Sequence, residues 1–156
     1  MANSIGMYPK DFIKLVCINE IGDVVKHHPF LSFALLSIGI EFIGKCRMVG
    51  NTWDIKPEKA FNSGKEILVE IDSRYEQLDL RTELRNGLTH TYLPKSKLAL
   101  GEVRNGDDHF GTSKTGRTIL VAEILYRDFV KACHIILETQ FPASDKMNRD
   151  FLNTDA

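Results

Sequence analysis

Leu80-Arg81-Thr82-Glu83-Leu84-Arg85-Asn86-Gly87-Leu88-Thr89-His90-Thr91-Tyr92, followed by Leu93-Pro94, is the stretch from which the rest of the chain is read. Leu80, Leu84 and Leu88 recur every four residues, which predicts one apolar stripe on a helix from about Glu76 to Thr91. Proline has no N–H and disfavours a helical residue before it, so Leu93-Pro94 ends the helix. At about 100° per residue, Asn86 and His90 fall within about 40° of each other, and Arg85 and Tyr92 share an adjoining arc. All four point away from the leucines. An arginine, an amide, an imidazole and a phenol therefore gather on the face that the domain's own core leaves unclaimed.

Working outward, residues 29–49 read as a helix that is apolar almost all round, with Phe30, Leu31, Phe33, Leu35, Leu36, Ile38, Ile40, Phe42 and Ile43. Such a helix is expected to be the most buried element. Glu41 interrupts the run, which is also shorter than the roughly 20 apolar residues a bilayer requires, so a core helix is expected rather than a membrane span. A carboxylate in this setting needs a partner. Arg85 or Arg81 would make a buried pair, whereas Lys45 at i,i+4 would make a surface one. His27-His28-Pro29 separates this helix from an earlier one over residues 10–27. Gly50-Asn51-Thr52 ends it, and Pro57 opens a third helix whose stripe is Phe61, Gly64, Ile67, Leu68 and Ile71.

Downstream of Pro94 the pattern changes. Residues 97–103 alternate, Arg104-Asn105-Gly106-Asp107-Asp108 reads as a turn, and 109–113 with 117–121 read as returning strands around Thr115-Gly116. Residues 95–121 are thus expected to form a small β-hairpin or three-strand insert. A last helix over about 121–139 carries Leu125, Phe129, Ala132 and Ile136, Pro142 ends it, and 143–156 form a polar tail. The expected fold is mainly α: one domain over 1–142, an up-and-down bundle of four to five helices with the β-hairpin insert between the last two.

Composition narrows the function. The chain has 156 residues, long enough to bury a core without disulfides or metal, and 20 basic against 21 acidic side chains give a formal charge of −1. There is no bulk attraction for phosphate, so any polyanion site must be local. Cys17, Cys46 and Cys133 sit among apolar residues, which suits reduced thiols and a cytoplasmic location. The N-terminal Met1-Ala2-Asn3-Ser4 lacks the basic-then-apolar order of a signal peptide.

The pattern R-N-x-x-x-H-x-Y at Arg85, Asn86, His90 and Tyr92 resembles the signature of the HEPN superfamily, the higher eukaryotes and prokaryotes nucleotide-binding domain. The resemblance implies a small helical bundle. It also implies metal-independent RNA cleavage in a toxin–antitoxin or other defence setting, with Arg85 and His90 catalytic in a homodimer whose two motif faces share a cleft. RNA or a nucleotide would be the ligand, with an antitoxin or nucleotidyltransferase as a further partner and no membrane involved. Asn86, Tyr92 and Glu41 would support the site, and neither metal nor cofactor is implied. The alternative is a non-catalytic module binding nucleotide, RNA or a partner protein through the same face. One departure stands out: more than sixty residues follow Tyr92, where short toxins of this family end sooner and lack a β-insert.

The chemistry fits the residue types. Metal-free cleavage needs a base for the 2′-hydroxyl, an acid for the departing 5′-oxygen, and positive charge on the phosphate. An imidazole of ordinary pKa near 6.5 serves as base or acid, and a forked guanidinium matches phosphate oxygens. One histidine does not readily fill both proton-transfer roles in one turnover, hence the second copy.

Spacing alone does not single out Arg85 and His90. Arg104 to His109 repeats R-N-G-x-x-H in a segment read as a turn, and Arg127 with His134 shares a helix face, His134 being expected at the core boundary with one hydrogen bond. Lys114-Thr115-Gly116 lacks the companion motifs of a serine β-lactamase. His27-His28 has no further metal ligand at suitable spacing.

Overall fold

The computed structural model describes residues 8–48 and 55–139. The expected stops at Gly50-Asn51-Thr52 and Pro142 and the polar tail lie outside the described residues. The first helix, α1 (residues 9–27), is built of Pro9–Phe12, a wide π-type stretch Ile13–Glu20, and Ile21–His27. It is followed by α2 (Pro29–Met48), α3 (Pro57–Ile71), a 3-10 turn Ser73–Gln77, and α4 (residues 81–91), which joins π-type Arg81–Asn86 to α-helical Gly87–Thr91. Strands β1 (Leu98–Gly101) and β2 (Thr118–Val121) precede α5 (Ala122–Glu138). The molecule is a mainly helical bundle with a small β insert before its last helix.

Both π-type stretches lie along a column of buried side chains. Ile13, Cys17, Ile21 and Val25 on α1, and Leu80, Leu84 and Leu88 leading through α4, repeat every four residues, and all are buried. On a regular helix a four-residue repeat drifts by about 40° per step. A wider π turn shifts the column the other way, though the same spacing is fully buried on the regular helix α5 at Leu125, Phe129 and Cys133.

Helix α2 is central, but it is not buried all round as its composition predicts. Gly44 and Gly64 let it cross α3 backbone to backbone: a Cβ on Gly44 would lie 1.8 Å from the Ala60 carbonyl oxygen, and one on Gly64 1.9 Å from that of Ile40. Gly39 accepts the Phe129 ring of α5, and Phe42 packs on Phe12 of α1 with ring centroids 4.7 Å apart. The remaining arc is open, leaving Leu31, Leu35 and Ile38 57%, 38% and 52% exposed. By length and apolarity α2 also passes as a membrane-crossing helix, half of it buried inside the molecule.

The insert corrects the hairpin expectation in one respect. A tight turn does form around Thr115-Gly116, with antiparallel bonds from Phe110 N–H to the Ile119 oxygen and from Ile119 N–H to the Gly111 oxygen, each 2.8 Å. The two regular strands, however, run parallel, Leu98 opposite Thr118 through Gly101 opposite Val121. Residues 102–117 cross over between them because His109 and Phe110 are drawn into the bundle, His109 only 8% exposed and Phe110 edge-on to Tyr75 at 4.9 Å. The segment is therefore anchored at its middle and returns to β1 from the same direction.

At the end of α4, Tyr92 adopts φ 58°, ψ 10° as the C-cap, the left-handed position usually given to glycine. Its side chain is 79% exposed and contributes little to packing. Tyr92→Gly is therefore expected to raise stability by about 1 kcal/mol, since a non-glycine residue there costs roughly 1–2 kcal/mol and glycine's extra unfolded-state freedom offsets part of the gain. A melting temperature equal to or below that of the wild type would contradict this.

Candidate functional site

The motif stretch is shaped by its return loop. A Cβ on Gly87 would meet the Leu93 oxygen at 2.6 Å and the Lys95 nitrogen at 3.1 Å, so the glycine lets residues 93–95 fold back over the helix. Glu83, buried beneath, fastens that loop: its backbone oxygen accepts from Lys95 N–H at 3.1 Å and its carboxylate from Lys97 N–H at 2.9 Å. Thr91 Oγ1 donates to the Gly87 oxygen at 2.8 Å and the Leu93 oxygen at 3.2 Å, and the Thr89 hydroxyl to the Arg85 oxygen. The helix end is thus a fixed platform.

On it, Arg85 and Asn86 are half-buried and His90 and Tyr92 exposed. Arg85 Nε donates to Glu41 Oε2 of α2 at 3.1 Å, both side chains about a quarter exposed at 27% and 23%. Of the two arginines expected as buried partners of Glu41, Arg85 is the one found; Arg81 faces Glu58 instead, at 3.7 Å. The pairing engages only Nε. Among the described residues the terminal nitrogens of Arg85 donate to no protein atom, which leaves the outer edge of its planar fork for two oxygens of an anion such as phosphate. The ion pair also cancels much of the charge such an anion would meet.

A second cluster was not legible in the sequence. Val121 N–H donates to His109 Nδ1 at 2.9 Å, so Nδ1 is the acceptor and the ring proton resides on Nε2. That proton reaches the Tyr75 oxygen at 3.1 Å, and the Tyr75 hydroxyl donates to Asp128 Oδ2 at 2.9 Å. Asp128, 1% exposed, is compensated by Arg127 at 3.1 Å and Lys131 at 3.6 Å. Burial pushes Tyr75 up, with the Asp128 charge adding to it, and burial pulls His109 down to about 4. The relay joins insert, turn and last helix with its polar groups satisfied. The Arg104 to His109 repeat is therefore a structural anchor: its turn, Val103–Asn105 closed by Gly106, is as read, but its histidine is in the core. The available signal was Asp128, a lone carboxylate beside the Leu125–Phe129 stripe, which demands a partner as Glu41 does. His134, expected at the core boundary, is exposed on α5.

The relay predicts a pH dependence. His109 is neutral in the fold down to about pH 4, whereas an unfolded histidine protonates near pH 6.5. Between those values the unfolded chain binds more protons, so stability falls as pH falls through that window. Thermal melts from pH 7 to 4 are expected to show the decline in wild type and to lose much of it in His109→Gln. An equal slope in both proteins would remove His109 as its source.

The three thiols are buried and free. Burial raises Cys46, and a Cys17 contact together with burial raises Cys133, so neither is a reactive nucleophile. Among the described residues no three His, Cys, Asp or Glu side chains are grouped as metal ligands. A surface hollow lined by Asn62, Lys65, Glu66, Val69, Glu70 and Glu76 includes none of the motif residues. Comparison with protein-family models, with curated proteins and with solved structures finds no match to this chain.

Proposed function

We propose that the chain is a HEPN-like, metal-independent endoribonuclease of the toxin or defence type, acting in the cytoplasm as a homodimer. The observation that carries this reading is the Arg85–Glu41 pair. It fixes a guanidinium by Nε alone on the helix end, locked by Glu83 and Gly87, that also carries the exposed His90. In the proposed reaction a base removes the 2′-hydroxyl proton, O2′ bonds to phosphorus, the P–O5′ bond breaks, and an acid protonates O5′. His90 of one copy supplies base or acid, His90 of the other the complementary role, and Arg85 meets the charge on the phosphate. The products are a 2′,3′-cyclic phosphate and a 5′-hydroxyl. Asn86 orients the imidazole or contacts ribose, and Tyr92 contacts the substrate.

A second reading, a non-catalytic module binding nucleotide, RNA or a partner protein such as an antitoxin or nucleotidyltransferase, is favoured by the neutralisation of Arg85 by Glu41 and by the net charge of −1. Digestion of a mixed RNA substrate with and without EDTA, with mass analysis of the ends and calorimetry against nucleotides, separates the two. Cyclic-phosphate ends in EDTA support the nuclease. Intact RNA with measurable nucleotide binding supports the module.

A further inference from the structure

Residues 91–101 and 109–122 contain no carboxylate and carry four cations, Lys95, Lys97, Lys114 and Arg117, all exposed. The fold brings them to one end of the insert. Lys97 lies one step before the paired residues Leu98 and Thr118, and Thr118 N–H donates to its oxygen at 3.0 Å. Partners in a parallel pair share a face, so Lys97 and Arg117 stand side by side, about 5 Å apart at Cα, turned away from the buried Leu98. Lys114 sits in the tight turn that Ser113 N–H closes on the Arg117 oxygen at 2.8 Å. Lys95 is held over Gly87 of α4, and His90 lies just under one turn farther on, about 60° round that helix. The cations therefore continue from the motif face.

Charge is sorted along the two strands. At their far ends Asp107 accepts from Glu102 N–H at 3.0 Å and Glu123 from Val103 N–H at 3.1 Å. At the near end like charges stand opposite one another, which is destabilising, and among the described residues no ion pair engages any of the four cations. The carboxylates that reach Lys97 are occupied: Glu83 accepts the Lys97 N–H, and Asp79 accepts from Thr82 N–H at 3.1 Å. In a chain of net charge −1, such a cluster supplies the local attraction for a polyanion that bulk composition lacks.

The geometry points to this end of the insert as the surface that holds the sugar-phosphate backbone of a single RNA strand leaving the motif face, without regard to base sequence. Cations spread from Lys95 through Lys97 and Arg117 to Lys114 suit a succession of phosphates rather than one anion. Tyr92, 79% exposed and three residues before Lys95, offers a ring on which an unpaired base can stack. A basic track with an aromatic platform is the combination that single strands favour. RNA as the occupant rests on the function proposed above; the anion-binding end itself rests on charge and register.

The test uses the full chain and a fluorescent 2′-O-methyl oligouridylate of about 12 nucleotides. That probe has no free 2′-hydroxyl to cleave, so binding is read apart from catalysis. Anisotropy titrations from about 50 to 200 mM salt are expected to give a log–log slope near −2.8 for wild type, four phosphate contacts at about 0.7 each. Lys97→Gln/Arg117→Gln is expected to weaken binding about tenfold and to make the slope shallower by about 1.4. It should melt at or above the wild-type temperature, because the like-charge contact is gone. Lys14→Gln/Lys26→Gln, exposed on α1, makes the same change in net charge and should bind as wild type does. No binding by wild type at low salt, an insert variant that binds as wild type does, equal weakening in the α1 variant, or adhesion to phosphatidylserine vesicles without binding of the oligonucleotide would overturn the proposal. An oligonucleotide held by the insert of a protein that cuts no RNA supports it and removes only the nuclease reading.

Discussion

His90→Ala is expected to slow RNA cleavage by about 10²–10⁴-fold, the range for loss of a positioned acid or base, while melting at the wild-type temperature. The separation is clean because His90 is exposed at the end of α4 and has no hydrogen bond to another described residue. Arg85→Ala is expected to cost about 10²–10³-fold through the lost charge on the phosphate. It also costs about 1 kcal/mol of stability, since the half-buried Glu41 is left without its partner. Arg85→Lys is informative as well: an ammonium restores the charge but not the fork, so only part of the activity should return. The double variant His90→Ala/Arg85→Ala should be little worse than His90→Ala, because the groups act in one step. Undiminished cleavage in both single variants, measured on a defined oligonucleotide, would end the catalytic reading.

The largest structural effect is expected at the α2–α3 crossing. Alanine at Gly44 places its methyl 1.8 Å from the Ala60 oxygen and 2.4 Å from the Gly64 nitrogen. These are backbone atoms with no rotamer to retreat into, so the two helices must separate and the contacts around Ile40, Ile43, Phe61 and Ile67 loosen. Overpacking of this kind costs about 3 kcal/mol, a large fraction of a typical domain's stability. A fall in melting temperature of roughly 10 °C follows for a chain of this size. Gly64→Ala should behave alike, its methyl meeting the Ile40 oxygen. A Gly44→Ala protein that melts within about 2 °C of wild type would mean that the helices do not cross so closely.

The two effects differ in how far they can be read from sequence. Helix limits follow from local rules: Pro29 and Pro57 open α2 and α3 where proline costs least, and Leu93-Pro94 follows the end of α4. The Glu41 partner was legible because a carboxylate in an apolar run has few ways to be satisfied, and Arg85 was among them. The direction of β2 was not. Asn105-Gly106 reads locally as a reversal, and only the distant contacts of His109 with Tyr75 and Val121 turn 102–117 into a crossover. The Gly44–Gly64 contact was equally hidden, since a glycine in a helix reads as a weakness until another backbone is seen against it.

By itself the sequence determined a mainly helical bundle, the proline-marked starts of α2 and α3, and a polar arc at Arg85, Asn86, His90 and Tyr92 opposite a leucine stripe, because periodicity and proline act within a few residues; the motif helix, expected from about Glu76, begins only after the 3-10 turn Ser73–Gln77. Only the tertiary structure decided which sides of α2 are covered. An all-round apolar helix carries no local mark of where its neighbours lie, and that is set by the glycine contacts with α3 and α5 and the ion pair with α4.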